Sequence, residues 1–277
     1  MNHIEGTFKG VHGLDIYHQA WVPEGEVRAS ILIVHGLGEH CGRYTNVVNY
    51  LVPKGYALYG FDLPGHGKSG GVREYVSTYD DYTETLTANY QRVRETQPDK
   101  PIFLLGHSMG GLIATAYLVD HSEDFTGAVI SAPAILIPDF VTKFTVLLGK
   151  VLSKIAPKAG VLGLDANGVS KDPAVVEAYI NDPLVFHGKT TARLSAELLD
   201  KLFWVNENME TITTPLLIVH GGEDKLANPK AAQLLYDHAS SKDKTLKVYD
   251  ELHHEVFNEP EREQVLGDVS AWLDAHL

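Results

Sequence analysis

Short, continuously apolar runs alternate with helix-periodic segments along most of this chain, and that alternation leaves few folds open. ASILIVHG and YALYGFD lack the period-two pattern of a half-exposed strand, as strands of a parallel sheet covered on both faces do. Between them Tyr44, Val47, Val48 and Leu51 recur at helical spacing, and Pro53 and Gly55 stop the helix. The unit recurs as helix YDDYTETLTANYQRVRET, strand PIFLLGH, helix MGGLIATAYLVDHS and strand FTGAVISAP. It resumes later as TPLLIVHG, PKAAQLLYDHA, KTLKVYD and EREQVLGDVSAWLDAHL. This order predicts an α/β protein with a mostly parallel, doubly wound sheet and right-handed crossovers. TFKG and LDIYHQAWV alternate instead, and predict an antiparallel entry.

The alternation breaks between about Pro138 and Phe203, where apolar helix-like segments occur but no clear parallel strand. The expected organisation is therefore one core from residues 1–137 and 204–277, with residues 138–203 inserted as a helical cap. A chain of 277 residues is long enough for one such core.

Lys plus Arg number 23 against 36 Asp plus Glu, a net charge of -13, which disfavours nucleic acid and anionic headgroups and suits a neutral or apolar ligand. The single cysteine, Cys41, excludes an internal disulfide. The start MNHIEGTFKG lacks a basic region followed by an apolar run, and no apolar stretch approaches the ~20 residues of a membrane span. A cytoplasmic location is expected.

GHSMG, from Gly106 to Gly110, joins the strand PIFLL to a helix. In such a nucleophile elbow the serine occupies a strained turn, and the flanking glycines are needed because a side chain would crowd the neighbouring strand or helix. A serine hydroxyl needs a base to take its proton, and the base needs an acid to hold its tautomer. The order for such an elbow is Ser, then Asp or Glu, then His. GGEDKLANP after a late strand offers Asp224 or Glu223, and the segment after the last strand offers His254 or His253. Both lie at carboxyl ends of strands, where sites of open α/β sheets collect. An oxyanion needs two donors: the N–H of Met109, beside Ser108, and one from the glycine-rich loop HGLGEH, pointing to Leu37. FDLPGHGKS, Phe61 to Ser69, is assigned to shaping a turn beside the site.

HGLGEHCGRY, DLPGHGKSGG, LLGHSMGG, AYINDPLV, HGGEDKLANP and KTLKVYDELHHEVFNEPE, in that order and spacing, resemble the monoacylglycerol lipase group of α/β-hydrolases over almost the whole chain. The resemblance implies the α/β-hydrolase fold with a helical cap. It implies Ser108, Asp224 and His254 as the triad, and the amides of Leu37 and Met109 as the oxyanion hole. It also carries Glu39, Arg43 and Tyr179 over to the polar end of the pocket, as substrate-binding residues. The implied reaction is hydrolysis of monoacylglycerols to fatty acid and glycerol through an acyl-enzyme, with no metal or organic cofactor. A lysophospholipase or a broad carboxylesterase is the alternative within the same chemistry. Arg43 is the one cation identified near the site for a phosphate headgroup. A non-catalytic binding protein of this fold would have lost triad members, and none is missing here. Haloalkane dehalogenases and epoxide hydrolases place an aspartate at the elbow, which Ser108 excludes.

In FVTKFTVLLGKVLSKI, Phe140, Phe144, Leu147, Leu148, Val151, Leu152 and Ile155 fall mostly on one helical face. That face could line an acyl tunnel, rest transiently on a membrane or micelle, or pack on the sheet domain. Lys143, Lys150 and Lys154 are compatible with the second use. Cys41 reads as a small buried residue or as a target of thiol reagents.

Overall fold

The computed structural model describes residues 1–137 and 142–277. The antiparallel entry is the pair β1 (Asn2–Lys9) and β2 (Asp15–Val22), the first running well beyond TFKG. β3 (Ala29–Val34), β4 (Tyr56–Phe61), β5 (Ile102–His107), β6 (Gly127–Ser131), and further along β9 (Leu216–Gly221) and β10 (Lys244–Tyr249) complete an eight-stranded sheet. Its order is β1-β2-β4-β3-β5-β6-β9-β10, parallel from β4 to β10.

The continuous apolarity of the central strands has a direct cause. Leu32 and Val34 of β3 and Leu104 of β5 enter one buried cluster, with residues from α2 (Asp80–Thr96), α3 (Met109–Asp120) and α7 (Lys230–His238). Their neighbours Ile31, Ile33, Phe103 and Leu105 enter a second cluster on the opposite face, with α1 (Thr45–Leu51) and α8 (Arg262–Ala275). Every position of a central strand is thus buried from one side or the other, and truncating one such leucine to alanine costs about 2–5 kcal/mol.

Between β6 and β9 the chain leaves the sheet. α4 (Lys143–Ile155) is followed by the short β7 (Gly160–Leu162), α5 (Pro173–Asn181), the short β8 (Thr190–Thr191) and α6 (Ala192–Asn208). β7 and β8 pair only with each other. Residue 203, the expected end of the insertion, falls inside α6, which continues until Leu202 and Val205 join the first buried cluster. The expected start at Pro138 and the face residue Phe140 lie outside the described residues, as do the side chains of Lys143 and Phe144. Thr142 caps α4, its hydroxyl accepting from the Thr145 N–H, and the helix packs against α6. Asp172 caps α5 in the same way, with Pro173 at a position where its missing N–H costs nothing. No helix of the described residues is long and apolar enough to cross a membrane.

Candidate active site

Ser108 stands alone between β5 and α3, with φ 56° and ψ -118°. A non-glycine residue held there costs roughly 1–3 kcal/mol, so the surroundings must impose it. The Ser108 N–H donates to Ser131 O on β6 at 2.9 Å, and its carbonyl accepts from Ala134 and Leu112, both at 3.1 Å. A Cβ at Gly106 would meet Gly110 O at 2.5 Å and the Ala114 methyl at 2.7 Å, and one at Gly110 would collide with the carbonyls of Val34 and His35. Any larger residue at either position would push α3 off the strands, so the two glycines are what let the helix start directly behind the serine. Ser108 itself remains half-exposed.

Asp224 lies just past β9, its side chain buried. Its Oδ1 accepts the N–H groups of Leu226 (2.8 Å) and Ala227 (2.9 Å), and its Oδ2 accepts from His254 Nδ1 at 2.7 Å and His220 Nε2 at 2.9 Å. Burial acts to raise its pKa, but the hydrogen bonds of His220 and His254 and the charge of His254 outweigh it and hold the carboxyl well below the usual range. The two pairs of alternatives separate cleanly. Glu223 points to solvent while Asp224 is buried, and His254, not His253, meets the acid. No hydrogen bond joins Ser108 Oγ to His254. The serine's chain neighbour His107 packs beside His254, its ring 4.7 Å from that of His254 and its Nδ1 3.1 Å from Ser131 Oγ. Burial, and next the proximity of His254, push the His107 pKa well down.

The HGLGEH loop closes over the elbow. A Cβ at Gly36 would lie 3.2 Å from Ser108 Cβ, which sets how near the loop comes to the serine. Met109 is the first residue of α3, so its N–H has no intrahelical partner. Neither Leu37 N–H nor Met109 N–H donates to a backbone carbonyl among the described residues.

Glu39, nearly fully buried, holds this loop from behind. Its Oε1 accepts the Gly36 N–H at 2.7 Å and the Tyr44 hydroxyl at 2.9 Å, and its Oε2 accepts from Arg43 at 3.0 Å. Arg43 makes a bidentate pair with Glu255 at 2.6 and 2.8 Å and lies 4.6 Å from the ring centre of Tyr179. Burial alone would lower the Arg43 pKa; the two carboxylates reverse that and raise it. Tyr179, on α5, places its hydroxyl 3.7 Å from where a Gly38 Cβ would be. The same loop is tied to the segment above it, through Phe186 N–H to Gly38 O at 2.8 Å and His40 Nε2 to Asp182 Oδ2 at 2.9 Å.

The FDLPGHGKS segment has the shaping place expected of it: Asp62 accepts from the N–H groups of Cys41 and Lys68, and His66 faces Glu74 at 3.2 Å. Cys41 is fully buried and burial pushes its thiol pKa up, which favours the packing reading over the reactive one. Among the described residues no group of three His, Cys, Asp or Glu side chains is placed to hold a metal ion. Three members of this site escape sequence reasoning: His107, His220 and Glu255. His220 had a signal, since IVHGGED repeats the strand-His-Gly ending of ILIVHG.

A serine on a strained strand-to-helix turn, and an acid–histidine pair at the carboxyl ends of later strands of one parallel sheet, define an α/β-hydrolase. A family model described as "Serine aminopeptidase, S33" matches residues 25–261. The chain is 39% identical over 273 residues to the monoacylglycerol lipase of Mycolicibacterium smegmatis, covering 99% of this chain and 98% of that one. Its fold superposes on the monoacylglycerol lipase of Paleococcus ferrophilus with a TM-score of 0.85 at 30% identity, covering 95% and 99% of the two chains. A soluble variant of the Saccharomyces cerevisiae monoglyceride lipase, solved with a substrate analog, gives 0.84 at 26% identity over 99% and 94%. The chain belongs to the monoacylglycerol lipase group of the α/β-hydrolases.

Proposed function

We propose that the protein hydrolyses monoacylglycerols to fatty acid and glycerol, with Ser108 as nucleophile, His254 as general base and Asp224 as the group that orients it. The observation that carries this reading is the 2.7 Å contact of buried Asp224 with His254 Nδ1, which leaves Nε2 as the ring nitrogen available to act as base. His254 takes the Ser108 proton as Oγ attacks the ester carbonyl. The N–H groups of Leu37 and Met109 receive the oxyanion, and His254 then gives the proton to the departing glycerol oxygen. Water repeats the cycle on the acyl-enzyme.

Of the three residues assigned to the polar end, Glu39 and Arg43 act from behind the loop, since their polar atoms are engaged with each other, Gly36, Tyr44 and Glu255. Tyr179 is the one whose hydroxyl faces the loop and is available to a glycerol hydroxyl. Arg43 is neutralised by two carboxylates, which counts against a phosphate headgroup and hence against the lysophospholipase alternative.

The segment between β6 and β9 serves as the cap. On α4, Leu147 (62% exposed), Leu148 (56%), Val151 (46%) and Ile155 (75%) face away from the protein, which favours an acyl entrance or a lipid surface over packing on the core. A cytoplasmic enzyme in transient contact with membranes or micelles fits this reading. Rates on monoacylglycerols of graded chain length, lysophospholipid and a short nitrophenyl ester, with Ser108→Ala as control, test it. Monoacylglycerol as the best substrate, abolished by the variant, is expected. A better rate on lysophospholipid would overturn the substrate assignment.

A further inference from the structure

His220 is fully buried at the end of β9, and nothing in the reaction just described uses it. Its Nε2 lies 2.9 Å from Asp224 Oδ2 and 3.1 Å from Ala227 O. Both neighbours accept hydrogen bonds, so Nε2 carries the proton. Ala227 closes the arrangement, its own N–H donating to Asp224 Oδ1. The other ring nitrogen, Nδ1, is buried without a partner. A histidine retained for packing alone would leave such a nitrogen buried and unpaired, a desolvation cost that leucine or phenylalanine avoids. The Nε2 contact is the feature that distinguishes this side chain from an apolar one of similar volume.

Resting on the assignment of Asp224 and His254 to catalysis, we propose that His220 is a positioning residue of the acid: it shares Oδ2 with the catalytic histidine, fixes the carboxylate rotamer and tempers the negative charge that His254 feels. With Oδ1 held by two backbone N–H groups and Oδ2 by two imidazoles, the carboxylate has no free lone-pair direction along which to turn. The same sharing has an electrostatic consequence. A hydrogen bond from His220 withdraws charge from the oxygen that faces His254, so its removal makes Asp224 the stronger partner and stabilises the protonated form of His254. Loss of His220 therefore moves the acidic limb of the pH profile upward.

The test uses His220→Leu, which keeps volume and removes the donor, and His220→Gln, whose amide N–H reaches about as far as Nε2. In His220→Leu the acidic limb of kcat/KM for a soluble ester is expected to rise by about half a pH unit, with kcat down roughly tenfold and KM nearly unchanged. His220→Gln is expected to return the limb to its wild-type position. A limb that stays in place in His220→Leu, or one displaced equally in both variants, overturns the proposal and leaves His220 a packing residue. If thermal unfolding finds His220→Leu unfolded, His220→Asn, polar but too short to reach Oδ2, takes its place with the same expected shift. Asp224→Asn is measured in parallel. Retained activity there would defeat the triad assignment itself, whereas an inactive Asp224→Asn beside an unshifted His220→Leu defeats only the present inference.

Discussion

Asp224 and Leu147 mark two opposite regions of this molecule. Around Asp224 every acceptor direction is filled, by two backbone amides and two buried imidazoles, and the residues come from strand ends of one sheet. Around Leu147 a helix of thirteen residues carries, among its described side chains, Leu147, Leu148, Val151 and Ile155 outward, and it packs against another helix of the same segment. The difference separates two tasks. The proton transfer proposed at Ser108 requires fixed geometry to a fraction of an ångström, the kind of geometry a sheet edge can hold. Admission of an acyl chain requires apolar surface and tolerance of length, which the segment above the sheet can provide without disturbing the chemistry.

If that separation is real, the largest effects come from the sheet edge and are the same on every substrate. Ser108→Ala should lower kcat by at least about 10⁴-fold on short and long esters alike while the thermal midpoint stays close to wild type. Ester turnover within tenfold of wild type would remove Ser108 from the chemistry.

The next effect is expected where the loop is held. Glu39→Gln breaks the ion pair with Arg43 and weakens the acceptor of the Gly36 N–H, so the loop carrying the proposed oxyanion donor Leu37 loses support. A fall in kcat of roughly 10- to 100-fold, less than removal of a donor outright, should appear with little change in KM. A change confined to KM would instead make Glu39 a residue that touches substrate.

Effects from the proposed cap should be smaller and substrate-dependent. A long acyl chain gains about 0.8 kcal/mol per buried methylene, and a butyryl group barely reaches that far. Leu147→Glu or Leu148→Glu should depress hydrolysis of long-chain monoacylglycerol several-fold more than hydrolysis of a short nitrophenyl ester. Equal losses on both would merge the two regions. Loss on dispersed lipid alone would assign the face to a lipid surface.

The smallest effect concerns the latch between the regions. Burial acts to raise the Asp182 pKa, but the hydrogen bonds from His40 and the Leu184 N–H outweigh it, so the folded value lies below the unfolded one. A carboxyl depressed in this way contributes stability that is present above its unfolded pKa, about 3.9, and is lost as pH falls through the folded value. Asp182→Asn should therefore lower the thermal midpoint slightly near neutrality and narrow its gap to wild type below about pH 4. A gap independent of pH would mean that the contact adds nothing through its charge.

The sheet was legible because its central strands are buried on both faces and hence apolar at most positions. The strained turn at Ser108 was legible because Gly106 and Gly110 announce the crowding around it, and chain order narrowed each of the other proposed triad members to two neighbours. The choice between His253 and His254 depends on which way one backbone turn faces, which no residue pattern there reports. Glu255 escaped for a different reason: its partner Arg43 is 212 residues away, and an ion pair at that separation leaves no local pattern. His220 was hidden by its place in an apolar strand, where a histidine reads as one core residue among several. The exposed face of α4 was readable as amphipathic, but an outward direction differs from an inward one only in what packs against it.

The central claim, that the sheet edge performs ester cleavage through an acyl group carried on Ser108, is most directly tested by acid-quenching the enzyme during turnover of a long-chain monoacylglycerol and mapping the adduct by peptide mass. The account predicts one acyl group per chain, on the peptide containing Ser108, absent from Ser108→Ala and cleared by water once substrate is exhausted. Turnover with no acylated peptide, or with the acyl group on any other residue, would contradict it.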